Sequence, residues 1–167
     1  IYRRTFLAGL LQASEAHPEA AVGCIGLRVP LDRVDRRKGL IGRIVDGLRF
    51  ERGVSLRGSR LSRSPLPVDI LHGYGGGLVR PAFFDLDTLA DMDGAPDAAW
   101  LEDDTWFAAH CRAPRLIVPG RPGSFPRFFH QSLYRASRLG LHNRGGGDPE
   151  RRNTTVLMRM FSDRWSE

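Results

Sequence analysis

The strongest constraint on this chain is a helical pattern that runs directly into a buried strand. In YRRTFLAGLLQASEA, residues 2–16, Phe6, Leu7, Leu10, Leu11 and Ser14 recur at helical spacing, so one face is apolar, and His17-Pro18 ends the helix. AAVGCIGLRV, at 20–29, is then apolar, partly β-branched and of strand length. Helix followed by buried strand is the order from which α/β sheets are assembled, and it predicts an α/β fold. Later segments continue it. VDIL (68–71), GLVR (77–80) and RLIVP (115–119) read as strands, and TWFAAHCRA (105–113) and RFFHQSLYRAS (127–137) as helices. A last helix is expected with Asp148 as N-cap, Pro149 at its first position and Val156, Leu157, Met160 and Phe161 as its buried stripe.

A chain of 167 residues with 41% hydrophobic content suits one core, so residues 1–167 are read as a single domain. Cys24 and Cys111 lie far apart without metal-like spacing, which argues against a disulfide framework or a zinc site and for a reducing compartment. No apolar run approaches the roughly 18 residues of a membrane span, and IYRRTF lacks a signal-peptide pattern. The expected location is therefore cytoplasmic, with peripheral contact at the inner face of a membrane left open.

Net charge is +6, and the whole excess sits between Asp32 and Arg63, where ten basic residues face four acidic ones. Leu40, Ile41, Ile44, Val45 and Leu48 can form one face of a short basic amphipathic helix there, suited to anionic lipid. The blander alternative is an excursion packed on its own domain with its arginines in water. Only Lys38 among the basic residues is lysine, an arginine bias better explained by high-GC coding than by a phosphate-binding code, so nucleic acid is not the expected partner.

Two stretches carry candidate chemistry. In HGYGGGLVRP, Gly75, Gly76 and Gly77 permit close approach of a ligand to the backbone, and a tight turn explains them equally well; the pattern is neither a Walker loop nor a dinucleotide fingerprint. Arg80, just beyond, suits an acceptor or phosphate oxygen, or a surface ion pair. In AWLEDDTWFAAHC, Glu102, Asp103 and Asp104 open a helix. Carboxylates in a first turn stabilise the macrodipole and cap free N–H groups, which accounts for one or two of the three. DLD (85–87) and DMD (91–93) read as polar loop or helix-cap residues, and His72 and His110 as hydrogen-bonded structural groups.

Taken in order, these pieces resemble the second half of a family-2-type glycosyltransferase with a GT-A fold, an incomplete three-layer nucleotide-diphospho-sugar transferase sandwich. The helix and strand of 1–23 resemble the segment that follows the metal-binding Asp-any-Asp motif. HGYGGGLVRPAFF resembles the strand-loop-strand beside the acceptor site, and LEDDTWFAAHC the acidic motif of the next helix. The resemblance implies a bacterial transferase of glycan biosynthesis that moves a sugar from a nucleotide-sugar donor to a hydroxyl of a glycan or other acceptor, with inversion at the anomeric carbon. It also implies Mg or Mn held by an Asp-any-Asp expected upstream of Ile1, so that these residues alone should turn over little. Such chemistry needs a base for the acceptor hydroxyl and a cation for the leaving diphosphate. The family pattern makes Asp104 the first choice of base and Asp103 the second, with Glu102 orienting loop or acceptor. Trp106 suits stacking on a sugar face or ordinary core, and His130 or His142 a late metal ligand or a surface position. The competing reading is a non-catalytic basic module that docks residues 33–63 on nucleic acid or anionic membrane.

Overall fold

The expected helix-to-strand order is realised, but the strand it feeds is broken in two. The computed structural model describes residues 4–36, 51–53, 55–58, 64–119 and 147–166. Helix α1 covers Arg4–Ala16, followed by strands β1 (Ala21–Gly23) and β2 (Ile25–Leu27). Cys24 lies between them and bends the chain: its N–H donates to Gly76 O at 3.0 Å and its carbonyl accepts from Gly58 N at 2.8 Å. One apolar run thereby serves two sheets, a change of partner that alternation and length cannot reveal.

In the first sheet, β1 runs parallel to β7 (Arg115–Ile117) and antiparallel to β6 (Gly77–Leu78), and β4 (Leu66–Pro67) pairs antiparallel with the far side of β7. In the second, β2 is central, antiparallel to β3 (Ser55–Arg57) and β5 (Ile70–Leu71). With α2 (Leu86–Ala90), α3 (Asp103–His110) and α4 (Asn153–Met160), the described residues make a mixed α/β structure of four helices and two small sheets, one of them with a parallel pair. None of these helices is long and apolar enough to cross a membrane. The 40–48 and 127–137 helices, and with them His130 and His142, lie outside the described residues.

The core sits where β2 and β5 meet α3 and α4, and joins Leu27, Val29, Ile70, Ala108, Ala109, Met158 and Trp165. Fully burying an aliphatic side chain such as Ile70 contributes roughly 1.5–3 kcal/mol. Asp69, 2% exposed, ties the C-terminal segment to this core. It accepts from Val29 N at 2.7 Å, Ser166 N at 3.1 Å and Ser166 Oγ at 2.6 Å, with Arg52 Nη1 at 3.7 Å.

Two helix faces differ from their expected stripes. In α1 only Leu10 and Ser14 are buried with Phe6 beside them, while Leu7 and Leu11 are exposed. At the C-terminal end, Asp148 and Pro149 open a 3-10 turn, Pro149–Arg151, and α4 begins only at Asn153. Arg152 breaks the two apart with extended backbone and is itself buried, donating to Asp35 O at 2.7 Å. In the helix that follows, Thr155, Leu157 and Met158 are buried, Val156 and Phe161 pack against the core, and Met160 faces solvent.

Candidate functional site

The three carboxylates that open α3 have three separate fates. Asp103 and Asp104 occupy the first helical turn, where negative charge favours the helix dipole. Asp103 is exposed and its Oδ1 accepts from Asp104 N at 3.0 Å, a local capping contact. Glu102 sits at the N-cap position without capping, because its Oε1 instead accepts from Thr105 Oγ1 at 3.2 Å. Burial, with the Asp104 charge beside it as the smaller cause, pushes the Glu102 carboxyl up to about 7.

Asp104 reaches out of its helix to the segment that follows β5. Its Oδ1 accepts from the Gly73 N–H at 2.7 Å, and its Oδ2 lies 3.2 Å from His72 Nδ1. His72 Nε2 in turn lies 3.2 Å from Ser55 Oγ, at the start of β3. Both ring and carboxylate keep some solvent contact, with side chains 15% and 19% exposed. Tyr74, half exposed, stacks on the imidazole with centroids 5.4 Å apart. The sequence treats His72 as structural and passes over Ser55 and Tyr74; the signal for the pair was the position of His72 at a strand end directly before glycine, but its partner is 32 residues away.

Gly75 and Gly76 are needed for packing. Gly73 carries the N–H that meets Asp104, and a Cβ there would stand 3.1 Å from the Asp104 Oδ1. Gly75, within the 3-10 turn Gly73–Gly75, packs so closely on Ile25 that a Cβ would fall 2.6 Å from its Cγ1. Gly76 has φ of 81° and ψ of 134° and lies against the Phe6 ring of α1, so it is glycine both for backbone and for space. Gly77 belongs to β6 opposite Gly23. The tight-turn alternative thus accounts for Gly75 and Gly76, a Cβ at Gly77 would meet only ordinary contacts, and the turn's contribution to the site is to carry His72 and Gly73 to Asp104.

Trp106 and Arg80, candidates for substrate contact, both have partners within the chain. Trp106 is 7% exposed and packs with Ala98, Ala99 and Leu157, and its Nε1–H donates to Leu89 O at 3.1 Å. His110 and Phe161 lie against its ring at 4.4 and 5.6 Å. The ordinary-core alternative describes it, because a tryptophan this deeply buried with its N–H satisfied offers little surface to a sugar. Arg80 donates through Nη2 to Ser14 O at 3.1 Å and Ser14 Oγ at 3.2 Å, and so fastens the loop after β6 to α1. His110 is structural as expected, its Nδ1 2.8 Å from Trp106 O. Asp85 caps α2 by accepting from Thr88 N, in keeping with its reading as a cap.

The described arginines of the basic segment have partners within the chain. Arg36 pairs with Asp32, Arg33 donates to the carbonyls of Leu31 and Ser162, and Arg52 donates to those of Val29 and Ser166. Among the described residues no three His, Cys, Asp or Glu side chains converge as a metal would need. No protein-family model matches the chain, and no curated protein or solved structure matches it significantly.

Proposed function

We propose that this chain is the acceptor-side half of a GT-A-type glycosyltransferase, with Asp104 as the general base that takes the proton of the acceptor hydroxyl. The observation that carries the reading is the hold on Asp104: a carboxylate in the first turn of α3, gripped by the Gly73 N–H and His72 and still partly open to solvent. An ionised carboxylate accepts about four hydrogen bonds, so two engaged directions leave others for a substrate hydroxyl. The order of elements also supports it: helix, buried strand, glycine turn, acidic helix, then a strand parallel to the first.

In the proposed reaction the acceptor oxygen attacks the anomeric carbon of the donor while its proton passes to Asp104. The bond from that carbon to the diphosphate breaks, and the leaving group departs with the electron pair, with inversion at carbon. A base so positioned contributes about 10²–10⁴-fold. Glu102, held by Thr105 beside it, orients the loop and tunes the local charge. The described residues do not form a donor set for Mg or Mn, and the proposal assigns that cation, with the donor diphosphate, to sequence outside them.

The test is release of nucleoside diphosphate by the complete protein from a panel of nucleotide sugars, with a mixed alcohol and glycan acceptor pool. Release from one donor, stimulated by acceptor, supports the transferase. Absence of release from every donor, with salt-sensitive binding to nucleic acid or anionic vesicles, would move the basic-module reading ahead.

A further inference from the structure

We propose that His72 is the positioning residue for Asp104, a donor that fixes the carboxylate in one orientation toward the acceptor hydroxyl, with Ser55 completing the hydrogen bonding of the ring. The inference rests on the transferase reading of Asp104. Three remote stretches converge to make the arrangement: Ser55 from β3, His72 from the end of β5 and Asp104 from α3.

An aspartate on a helix's first turn rotates broadly about its last torsion, since sp³–sp² torsions have no sharp wells. Here the two carboxylate oxygens are held by different donors of one short stretch. Gly73 N–H takes Oδ1 at 2.7 Å and His72 Nδ1 takes Oδ2 at 3.2 Å, which fixes the carboxylate plane. A bare Nδ1 would set its lone pair against the carboxylate's, so Nδ1 carries a proton and donates to Oδ2, while Nε2 lies 3.2 Å from the Ser55 hydroxyl. Stacking on Tyr74 restrains the ring further. During transfer the acceptor's proton passes to an unused lone pair of Asp104, and His72 neither gains nor loses one. Loosening a reacting group by about 1 Å costs on the order of 10²-fold in rate, and that is the effect assigned to His72.

The same three groups also stand in the order of a hydrolytic triad, with Ser55 as nucleophile, and the experiment separates the two. In the complete protein, His72→Leu removes the donor, whereas His72→Asn keeps an amide N–H near the position of Nδ1. The expected result is a kcat lowered about 10²-fold by leucine with donor KM unchanged, most of it restored by asparagine, and only a few-fold loss for Ser55→Ala. Imidazole ¹⁵N spectra should show His72 protonated at Nδ1. Equal turnover for the leucine and asparagine variants, or a ring bare at Nδ1, overturns the inference. So does covalent labelling of Ser55 by a fluorophosphonate, which would make the serine the reacting group. Failure of the underlying reading is separately visible: an active Asp104→Asn variant with the Nδ1–H tautomer intact removes the transferase base and this role with it.

Discussion

Glu102 should make the stability of this protein fall as pH rises through the weakly acidic range. Its carboxyl is raised from 4.5 to about 7 in the folded chain, chiefly by burial and then by the Asp104 charge. Below the unfolded value both states hold the proton and nothing is lost. Between the two values the unfolded chain has released a proton that the folded chain retains, so stability declines with each unit of pH and levels off above the folded value. At about 1.4 kcal/mol per unit, a shift of this size costs about 3 kcal/mol in all. Glu102→Gln keeps an acceptor for Thr105 Oγ1 and removes the titration. Urea unfolding of wild type and variant at matched pH values from about 5 to about 8 isolates the residue, because groups common to both cancel in the difference. The variant should gain relative to wild type by up to about 3 kcal/mol toward the alkaline end. A difference that stays flat across the window refutes the burial of this carboxyl.

Three further outcomes follow from the packing. Gly76→Ala forces a side chain into a backbone region essentially restricted to glycine and against the Phe6 ring, and should destabilise by about 1–3 kcal/mol in chemical unfolding; a neutral result would mean that α1 does not rest on this turn. Asp69→Ala strands the buried Val29 N–H and frees Ser166, for a loss of about 1–3 kcal/mol and early exposure of Trp165, read by fluorescence during unfolding. Trp106→Phe deletes the hydrogen bond to Leu89 and should lower the unfolding midpoint while leaving acceptor KM unchanged; a raised KM at unaltered stability would return Trp106 to the substrate.

The mixture of helices and strands and the positions of α1, α3 and β7 were legible because their apolar periods are long or their flanks are punctuated by Pro and acidic residues. Less legible was anything decided by a partner remote in the chain. The run 20–29 reads as one strand, yet Gly76 and Gly58 pull Cys24 out of line and divide it between two sheets. Met160 fits a helical stripe, yet it faces solvent, and the start of α4 is held by Arg152 donating to Asp35, 117 residues distant. The same holds at the site. LEDDTW marks where the acids lie, and the glycosyltransferase resemblance singles out Asp104 among them, but the separation of Asp103, Asp104 and Glu102 into cap, reaching carboxylate and buried acid depends on Gly73 and His72. Trp106 shows the converse, since an aromatic beside acids looks functional until its ring is found among Ala98, Leu157 and Phe161.

The central claim is that Asp104 removes a proton in a sugar transfer, and the most direct measurement compares Asp104→Asn with wild type in the complete protein. Single-turnover transfer and calorimetric donor binding would be measured side by side. Asparagine keeps the size of the side chain and can still accept the Gly73 N–H, but it cannot serve as the base. The account predicts transfer slowed by about 10²–10⁴-fold with donor affinity unchanged. Transfer at the wild-type rate would contradict it.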